Sequence, residues 1–421
     1  MTENCSKIKK NNKFSCREEL EMLDKSELVD RILQLEAYNS QLKNLIDKSV
    51  NNPNDITVKK LCKKFDFSRY TKRRIFLKFY YLGWDYHGFV TQEGILNTIE
   101  HHLFNALIKS CCIESRETSN YHRCGRTDKG VSAFSQVISL DIRSKLAADK
   151  QENLDQEIPY CKILNRILPT NIRCIAWWPI QNNISARFDC KFRTYKYFFP
   201  RGNLNVPAMN AAVKLVIGEH DFRNICKMDV ANGVTNFKRK VANAEVFELN
   251  QSFQESGFDM CYLEIKSQAF LWHQIRCLMG VLLLVGQNKE KPEVILDLLD
   301  IEKVPQKPQY NMAHEVPLNL FHCEYENENW FIDQTELLHT IKILQAEWTL
   351  NTIKSTMTRC MINNLESLGD LKNNNFQSDC LLLGVQSKIY QSLLKRPTCE
   401  SLENKLKQRT KKLKLEDHKL H

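Results

Sequence analysis

The sequence predicts an α+β fold that is built on a mostly antiparallel sheet. Runs that are rich in aromatic and apolar residues, such as KRRIFLKFYYLG at 72–83, indicate strands. Helical patterns stand between these runs, but the two kinds of element do not alternate regularly as they do around a parallel sheet. Hydrophobic residues make up 43% of the 421 residues, so the chain can bury a core.

The first block of elements begins with the strand at 72–83. Apolar residues recur at helical spacing in ILNTIEHHLFNALIKS (95–110), which predicts a helix. The apolar face of this helix consists of Leu96, Ile99, Leu103 and Leu107. The segment QVISLDI (136–142) alternates, which places Ile138, Leu140 and Ile142 on one side of a strand. Two further strands are predicted at 172–180 and 193–200.

A second block repeats this order of elements without repeating the residues. Helices are predicted at 208–218 and 271–286, and strands at 241–249, 260–270 and 318–325. The chain is thereby divided into a mobile N-terminus (1–19), a heptad helix (20–47), a linker (48–70), two sheet-forming halves (71–200 and 201–330), a helical extension (331–395) and a basic tail (396–421).

The N-terminal helix has a heptad pattern. The a and d positions are Leu28, Ile32, Leu35, Asn39, Leu42 and Ile46. Isoleucine and one asparagine at a, with leucine at d, are typical of a parallel two-stranded coiled coil, in which Arg31 and Glu36 can pair across the strands. The pattern therefore predicts a homodimer through residues 28–46, and the alternative is a single amphipathic helix that lies on its own domain.

Composition restricts the class of protein. The net charge of +10 favours an acidic partner, nucleic acid first and anionic membrane second, although solubility alone also explains it. The longest apolar run, at 277–286, is about half of what a membrane span needs, so no membrane partner is expected. The 16 cysteines contain no C-x2-C pair, which predicts reduced thiols of a cytosolic or nuclear protein and no metal site.

The stretch RCGRTDKGVSAF (123–134) surrounds one carboxylate with positive charge. Arg123, Arg126 and Lys129 lie within five residues of Asp128, and such a carboxylate is difficult to protonate. Asp followed closely by Gly is also a common turn, so Asp128 either performs chemistry or only shapes the chain.

Basic and aromatic residues alternate in ARFDCKFRTYKYFF (186–199). Cations such as Arg187 and Arg193 suit phosphates, and rings such as Tyr195 stack on exposed bases. This pattern favours nucleic-acid binding, and the alternative is an amphipathic edge strand.

Arg276 lies in the otherwise apolar helix at 271–286. An arginine on an apolar face is costly unless it meets a carboxylate, for which Asp128 is the candidate, or extends to the surface. His273 is interpreted as a hydrogen-bonded structural residue.

Three of these stretches together resemble a known family. GRTDKGVSA, RTYKYF and FLWHQIRCLMG, in this order, are similar to the motifs of the TruA-type tRNA pseudouridine synthases, and YLGWDYHGF (81–89), which contains His87, resembles the family's opening segment. RCGRTDKGVSAFSQVISLDIRS, GFVTQEGILNTIE, the heptad helix and LLKRPTCESLENK resemble the eukaryotic tRNA pseudouridine-38/39 branch. The chain departs from the bacterial pattern at Phe89-Val90, where Trp-Gln is usual.

The resemblance implies two ferredoxin-like halves that form an extended, mostly antiparallel sheet, with helices on one side and a central RNA-binding cleft. It implies that a tRNA uridine in the anticodon arm is isomerised without a cofactor or a metal. The location expected from the cysteines and from the basic run KLKQRTKKLK of the tail is the nucleus and cytoplasm. Asp128 matches the essential aspartate, Tyr195 the residue that stacks on the base and accepts the C5 proton, and Arg276 the partner of the aspartate. Arg126 matches a residue that holds the flipped nucleotide, and Leu318 matches an apolar residue of the pocket.

Two alternatives remain open for function. The first is an RNA-binding protein on the same scaffold that has no catalytic activity. The second is a synthase that acts on other uridines of tRNA or of small nuclear RNA. Catalysis by Asp128 proceeds either by attack on C1′ or by removal of the C2′ proton, and the sequence does not distinguish these routes.

Overall fold

The computed structural model describes residue 24, residues 28–29 and 32–33, residue 36, and residues 65–417 except 148–149, 231–232, 250–256, 370–376 and 385–388. The chain forms two units, residues 1–66 and 67–421. In the first unit, residues 28–29, 32–33 and 36 are helical, and the amide of Leu28 donates to the carbonyl of Asp24 at 3.0 Å. The other heptad positions and Arg31 lie outside the described residues.

The second unit contains one sheet in which nine strands are described. They are β1 (Thr71–Tyr81), β2 (His122–Arg123), β3 (Ser132–Ser144), β4 (Ile172–Pro179), β5 (Phe192–Pro200), β6 (Gly218–Asp221), β7 (Lys238–Glu248), β8 (Met260–Ser267) and β9 (Leu318–Glu324). Eight of them follow the order β4-β1-β3-β9-β5-β8-β7-β6, and β2 pairs with β3. The predicted α+β class and the mostly antiparallel sheet are confirmed.

The sheet changes direction at one place, between β3 and β9. These strands are parallel and pair through Ser132 with Asn319 and Ala133 with Leu320, whereas all the other described pairs are antiparallel. β1, β2, β3 and β4 lie on one side of this junction and β5 to β8 on the other. Asp128 precedes β3, on one side of the junction. Tyr195 lies in β5, which pairs with β8 and β9 on the other side.

Seven α-helices are described in this unit. They are α1 (Ile99–Lys109), α2 (Tyr160–Asn165), α3 (Val206–Lys214), α4 (Gln274–Gly286), α5 (Val294–Leu299), α6 (Gln334–Gly369) and α7 (Leu402–Asp417). Every residue of α4 is buried, which agrees with its continuous apolar sequence. None of the described helices is both long enough and apolar enough to span a membrane.

The helix predicted at 208–218 spans Val206–Lys214, because Gly218 already begins β6. Two further predicted helices begin later than expected. α1 begins at Ile99, where Thr98 caps it by accepting from the amide of His101, and Leu96 precedes the helix with 68% of its surface exposed. The segment 271–286 becomes helical only at Gln274, because His273 has a left-handed backbone with φ of 58°. In both cases apolar periodicity extended beyond the true start of the helix.

Candidate active site

An open cleft with a volume of about 1760 Å³ lies where the two parts of the sheet meet. Its walls come from the segment after β1, the loop between β2 and β3, the chain before β5, and the segment between β8 and α4. The predicted site residues His87, Arg123, Arg126, Asp128, Lys129, Arg187, Arg193, Tyr195, Arg276 and Leu318 all line it. The fold therefore gathers into one cleft residues that are far apart in the sequence.

The backbone holds the loop that presents Asp128. The carbonyl of Asp128 accepts from the amide of Val131 at 3.2 Å, and Gly130 has φ of 78°. The carbonyl of Thr127 accepts from the amide of Phe89 at 3.1 Å. Gly83 has to be glycine, since a Cβ there would lie 1.9 Å from the carbonyl oxygen of Val131. The turn is thus formed by main-chain groups, which leaves the carboxylate of Asp128 available for chemistry.

The carboxylate of Asp128 has two cationic or hydrogen-bonding partners on the same oxygen. Nε2 of His273 lies 3.2 Å from Oδ2, and Nη1 of Arg276 lies 3.5 Å from it. Burial alone raises the pKa of this carboxyl, but the hydrogen bond and charge of His273 and the charge of Arg276 outweigh burial, so the pKa lies below its usual value. Asp128 is therefore ionised at neutral pH.

Arg276 is held by three acceptors. It is 4% exposed, its Nη2 lies 2.6 Å from Oε2 of Glu315, and its Nε donates to the carbonyl of Ala313 at 2.9 Å. The apolar sequence around Arg276 predicted that its guanidinium contacts Asp128, and this contact is present. The second carboxylate, Glu315, was not predicted from the sequence, because nothing in the spacing of AHEVPLNL indicates that it returns to this helix.

His273 takes part in the site more directly than the sequence suggested. It stands immediately before α4, and its left-handed backbone directs the residue out of the helical path to reach Asp128. Its Nδ1 is buried and has no hydrogen-bond partner among the described residues. The expected hydrogen bond of His273 is present, but its partner, Asp128, was not predicted. The available signal was a histidine three residues before the buried Arg276.

Tyr195 lies on β5 with 8% of its surface exposed and with its ring at 5.2 Å and 84° to the ring of Phe270. Its neighbours across the sheet are Ile265 and Leu320. Burial raises the pKa of its phenol well above the usual value, and the opposite effect of Arg193 is smaller. Tyr195 is consequently a neutral phenol at physiological pH.

The basic residues that were predicted to bind substrate fall into two groups. Arg126, Lys129, Arg187 and His87 are exposed. Arg123 instead pairs with the buried Glu100 at 2.7 Å, and Arg193 donates to the backbone carbonyls of Cys124, Arg187 and Gln268. The guanidinium groups of the second pair are thus engaged by the protein itself.

Comparison with known proteins gives the class. A family model described as tRNA pseudouridine synthase matches residues 212–326. A protein from Methanosphaera stadtmanae, named tRNA pseudouridine synthase A, is 28% identical over 66% of this chain and 94% of its own length. The chain belongs to the TruA-type tRNA pseudouridine synthases, which makes it an isomerase that converts uridine into pseudouridine in tRNA.

Its eukaryotic relatives share a more specific name. A protein from Bos taurus is 43% identical over 92% of this chain and 88% of its own length, and one from Saccharomyces cerevisiae is 39% identical over 86% of this chain and 84% of its own length. Both are named tRNA pseudouridine(38/39) synthase. The predicted resemblance to this branch is confirmed.

Proposed function

We propose that this synthase modifies uridines 38 and 39 in the anticodon arm of tRNA and that Asp128 is its catalytic carboxylate. The observation that supports the catalytic role is the contact of Oδ2 of Asp128 with His273 and Arg276, at the wall of a cleft large enough for a nucleotide and its neighbours. The names of the bovine and yeast relatives support the positions.

Isomerisation exchanges one bond to the sugar for another. The bond from N1 of uracil to C1′ breaks, the base turns, and a bond from C5 to C1′ forms. C5 loses its proton and N1 gains one, so no atom enters or leaves overall. Attack on C1′ and removal of the C2′ proton both require an ionised carboxylate, and the lowered pKa of Asp128 satisfies that requirement.

The other cleft residues divide the remaining tasks. The uridine must leave its stack, which costs a few kcal/mol, and stacking on Tyr195 at about 1–3 kcal/mol returns part of that cost. The exposed side chains of Arg126, Lys129, Arg187 and His87 bind the surrounding phosphates and sugars. Leu318, which is 6% exposed, supplies an apolar wall that limits access of water to the detached sugar.

Three further features belong to the same proposal. Each part of the sheet, β1 to β4 on one side of the junction and β5 to β9 on the other, forms a ferredoxin-like half, with the RNA cleft between the two halves. Residues 28–46 join two copies as a coiled coil. The enzyme acts in the nucleus and the cytoplasm, for which the basic segment KLKQRTKKLK of the tail is a candidate address.

The test is to map pseudouridine in tRNA from cells that lack the gene and from the same cells complemented with wild type or with Asp128→Asn. We expect loss that is confined to positions 38 and 39, rescue by wild type, and no rescue by the variant at equal protein level. Loss at other tRNA sites would contradict the positions, and rescue by Asp128→Asn would contradict the catalytic role.

A further inference from the structure

Three buried cysteines meet beside the catalytic loop. The sulfur atoms of Cys124, Cys190 and Cys323 all lie within 4.8 Å of one another, and those of Cys124 and Cys323 are 3.3 Å apart. None of the three residues is more than 3% exposed. In the part of the chain that the structure describes, this is the one group of three or more histidine, cysteine or acidic side chains arranged closely enough to hold a metal ion.

The cysteines come from three separate parts of the fold. Cys124 follows β2, Cys190 precedes β5, and Cys323 lies in β9. Cys124 and Cys323 are 199 positions apart, so no short spacing in the sequence can reveal the cluster. The thiols meet only in the tertiary structure. The sequence, which has no C-x2-C pair, therefore gave the expectation of no metal site.

We propose that Cys124, Cys190 and Cys323 form a buried thiolate site for a soft d¹⁰ cation, with Zn²⁺ as the expected occupant. At a Zn–S distance of about 2.3 Å, two sulfur ligands of a tetrahedral ion are about 3.8 Å apart. The sulfur atoms of the cluster reach that separation through shifts of less than about 1 Å. A set of three sulfur ligands excludes Mg²⁺ and Ca²⁺, which prefer oxygen.

The charges around the cluster support a divalent ion. Binding releases three thiol protons, and three thiolates with Zn²⁺ leave a net charge of −1. The guanidinium of Arg193 donates to the backbone carbonyl of Cys124 at 2.8 Å and interacts electrostatically with all three cysteines, so it offsets that charge. The buried hydroxyl of Tyr325 lies beside Cys124 and donates to the carbonyl of Ala186 at 2.8 Å, so it adds a neutral polar group to the wall of the cluster.

An ion at this place would fix the geometry of the cleft. Cys124 is joined to the loop that presents Asp128, and Cys190 to the strand that presents Tyr195, while β9 lies between β3 and β5. The metal would therefore tie together both parts of the sheet immediately behind the site. Its role is structural positioning, and the inference does not depend on which uridines are modified.

The experiment measures metal in the full-length protein purified without chelator and, separately, after reconstitution with Zn²⁺ under reducing conditions. We expect about one zinc per chain in wild type. Co²⁺ in its place should give the intense sulfur-to-metal charge-transfer band of a thiolate site. Cys190→Ala and Cys323→Ala should each lower bound zinc at least tenfold. Cys261→Ala is the matched control, because Cys261 is fully buried in β8 and lies outside the cluster; it should retain the metal.

A second measurement on wild type does not depend on folding of the variants. Titration with an organomercurial in the presence of a zinc indicator should release one Zn²⁺ as the buried thiols react. The proposal is wrong if wild type binds less than about 0.1 zinc per chain both as purified and after reconstitution, or if the cluster variants retain zinc as the control does. It is equally wrong if Co²⁺ binds without the charge-transfer band.

Discussion

Nε2 of His273 donates a hydrogen bond to Oδ2 of Asp128 across 3.2 Å. The donor stands just before a buried helix and the acceptor on a loop from the other part of the sheet. This contact acts together with Arg276 against the effect of burial, and it determines the protonation state on which the chemistry depends.

Replacing Asp128 by asparagine removes the charge and retains the shape. We expect Asp128→Asn to abolish isomerisation while the Kd for tRNA changes less than about tenfold, which is about 1.4 kcal/mol. The measurement pairs a single-turnover assay with a binding assay on the same preparation. Asp85→Asn, at an exposed aspartate after β1, is the control and should retain full activity. Turnover by Asp128→Asn above the level of the heat-killed enzyme would contradict the role.

Replacing His273 should change the pH dependence of the reaction. Asparagine tolerates the left-handed backbone at this position but cannot supply a positive charge. Burial then acts on Asp128 with less opposition, so its pKa rises. We expect the acid limb of kcat/KM in His273→Asn to move to higher pH, with activity recovering as pH increases.

The control for this pH profile is His339→Asn, which changes an exposed histidine of α6. Its profile should coincide with that of wild type. A uniform loss of activity in His273→Asn at every pH would show that the residue positions the loop and does not set the charge of Asp128.

The hydroxyl of Tyr195 is expected to act late in the reaction. Because burial keeps the phenol protonated, it can relay the C5 proton but does not begin as a free base. Tyr195→Phe should bind tRNA normally and should lower tritium release from C5-labelled uridine at least tenfold. Tyr197→Phe is matched on the same strand, since the Tyr197 hydroxyl donates to the carbonyl of His314 and does not line the cleft. If Tyr195→Phe releases tritium at the wild-type rate, the hydroxyl is not needed and the role of Tyr195 is stacking on the base.

Salt should distinguish the exposed cations of the cleft from other surface charges. Each phosphate contact contributes about 0.7–0.9 to the slope of log affinity against log salt. Arg126→Gln and Lys129→Gln should each reduce the slope by about this amount. Lys72→Gln, at an exposed lysine of β1 outside the cleft, should leave it unchanged. If wild type and the three variants have equal slopes, the tRNA backbone does not contact Arg126 or Lys129.

Glu100 should stabilise the fold in a pH-dependent way. Glu100 is fully buried, and burial alone raises its pKa. The amide of Thr91, the hydroxyl of Tyr121 and the charge of Arg123 lower the pKa by more than burial raises it, so it lies below the usual value.

The side chains of Arg123 and Arg116, which pair with Glu100, are 22% and 35% exposed, so their charges stay hydrated when Glu100 is replaced. Glu100→Gln should therefore lower the free energy of unfolding at pH 7 by about 1–3 kcal/mol, the cost of lost hydrogen bonds to a buried carboxylate. Glu114→Gln, at an exposed site, should change it by less than about 0.5 kcal/mol.

The sign of the pH dependence follows from the lowered pKa. The carboxylate stabilises the folded protein above its unfolded pKa, near 4.5, and this contribution is lost as pH falls through the lower folded pKa. The difference in unfolding free energy between wild type and Glu100→Gln should therefore shrink below about pH 4.5. Urea unfolding at several pH values measures it, and a difference that grows on acidification would contradict this assignment.

Much of the fold followed from local pattern. The strands around Ile75, Ile138 and Tyr197 were predictable because apolar and aromatic residues alternate or crowd there, and α4 because its thirteen residues are almost all apolar. The pairing of Asp128 with Arg276 was predictable because a buried guanidinium requires an anion, and Asp128 already stood out as a carboxylate in a strongly basic stretch.

The remaining contacts depend on tertiary structure. Glu315 and His273 reach the site through a returning segment and a left-handed residue, neither of which produces periodicity. The cysteine cluster consists of isolated thiols from three elements, and each by itself has the sequence signature of an ordinary core residue. Sequence patterns report local geometry, whereas these groups meet only after the sheet has assembled.

The central position of β9 has a consequence for how the enzyme is made. Residues 318–324 are translated almost 200 residues after β3 begins, yet they insert between β3 and β5. Until they leave the ribosome, β5 and the first residues of β3, which β2 does not cover, have an open edge that can pair with other chains. The nascent protein therefore cannot complete its cleft during most of its synthesis, and any chain that stops before residue 318 lacks the strand that joins the two parts of the sheet.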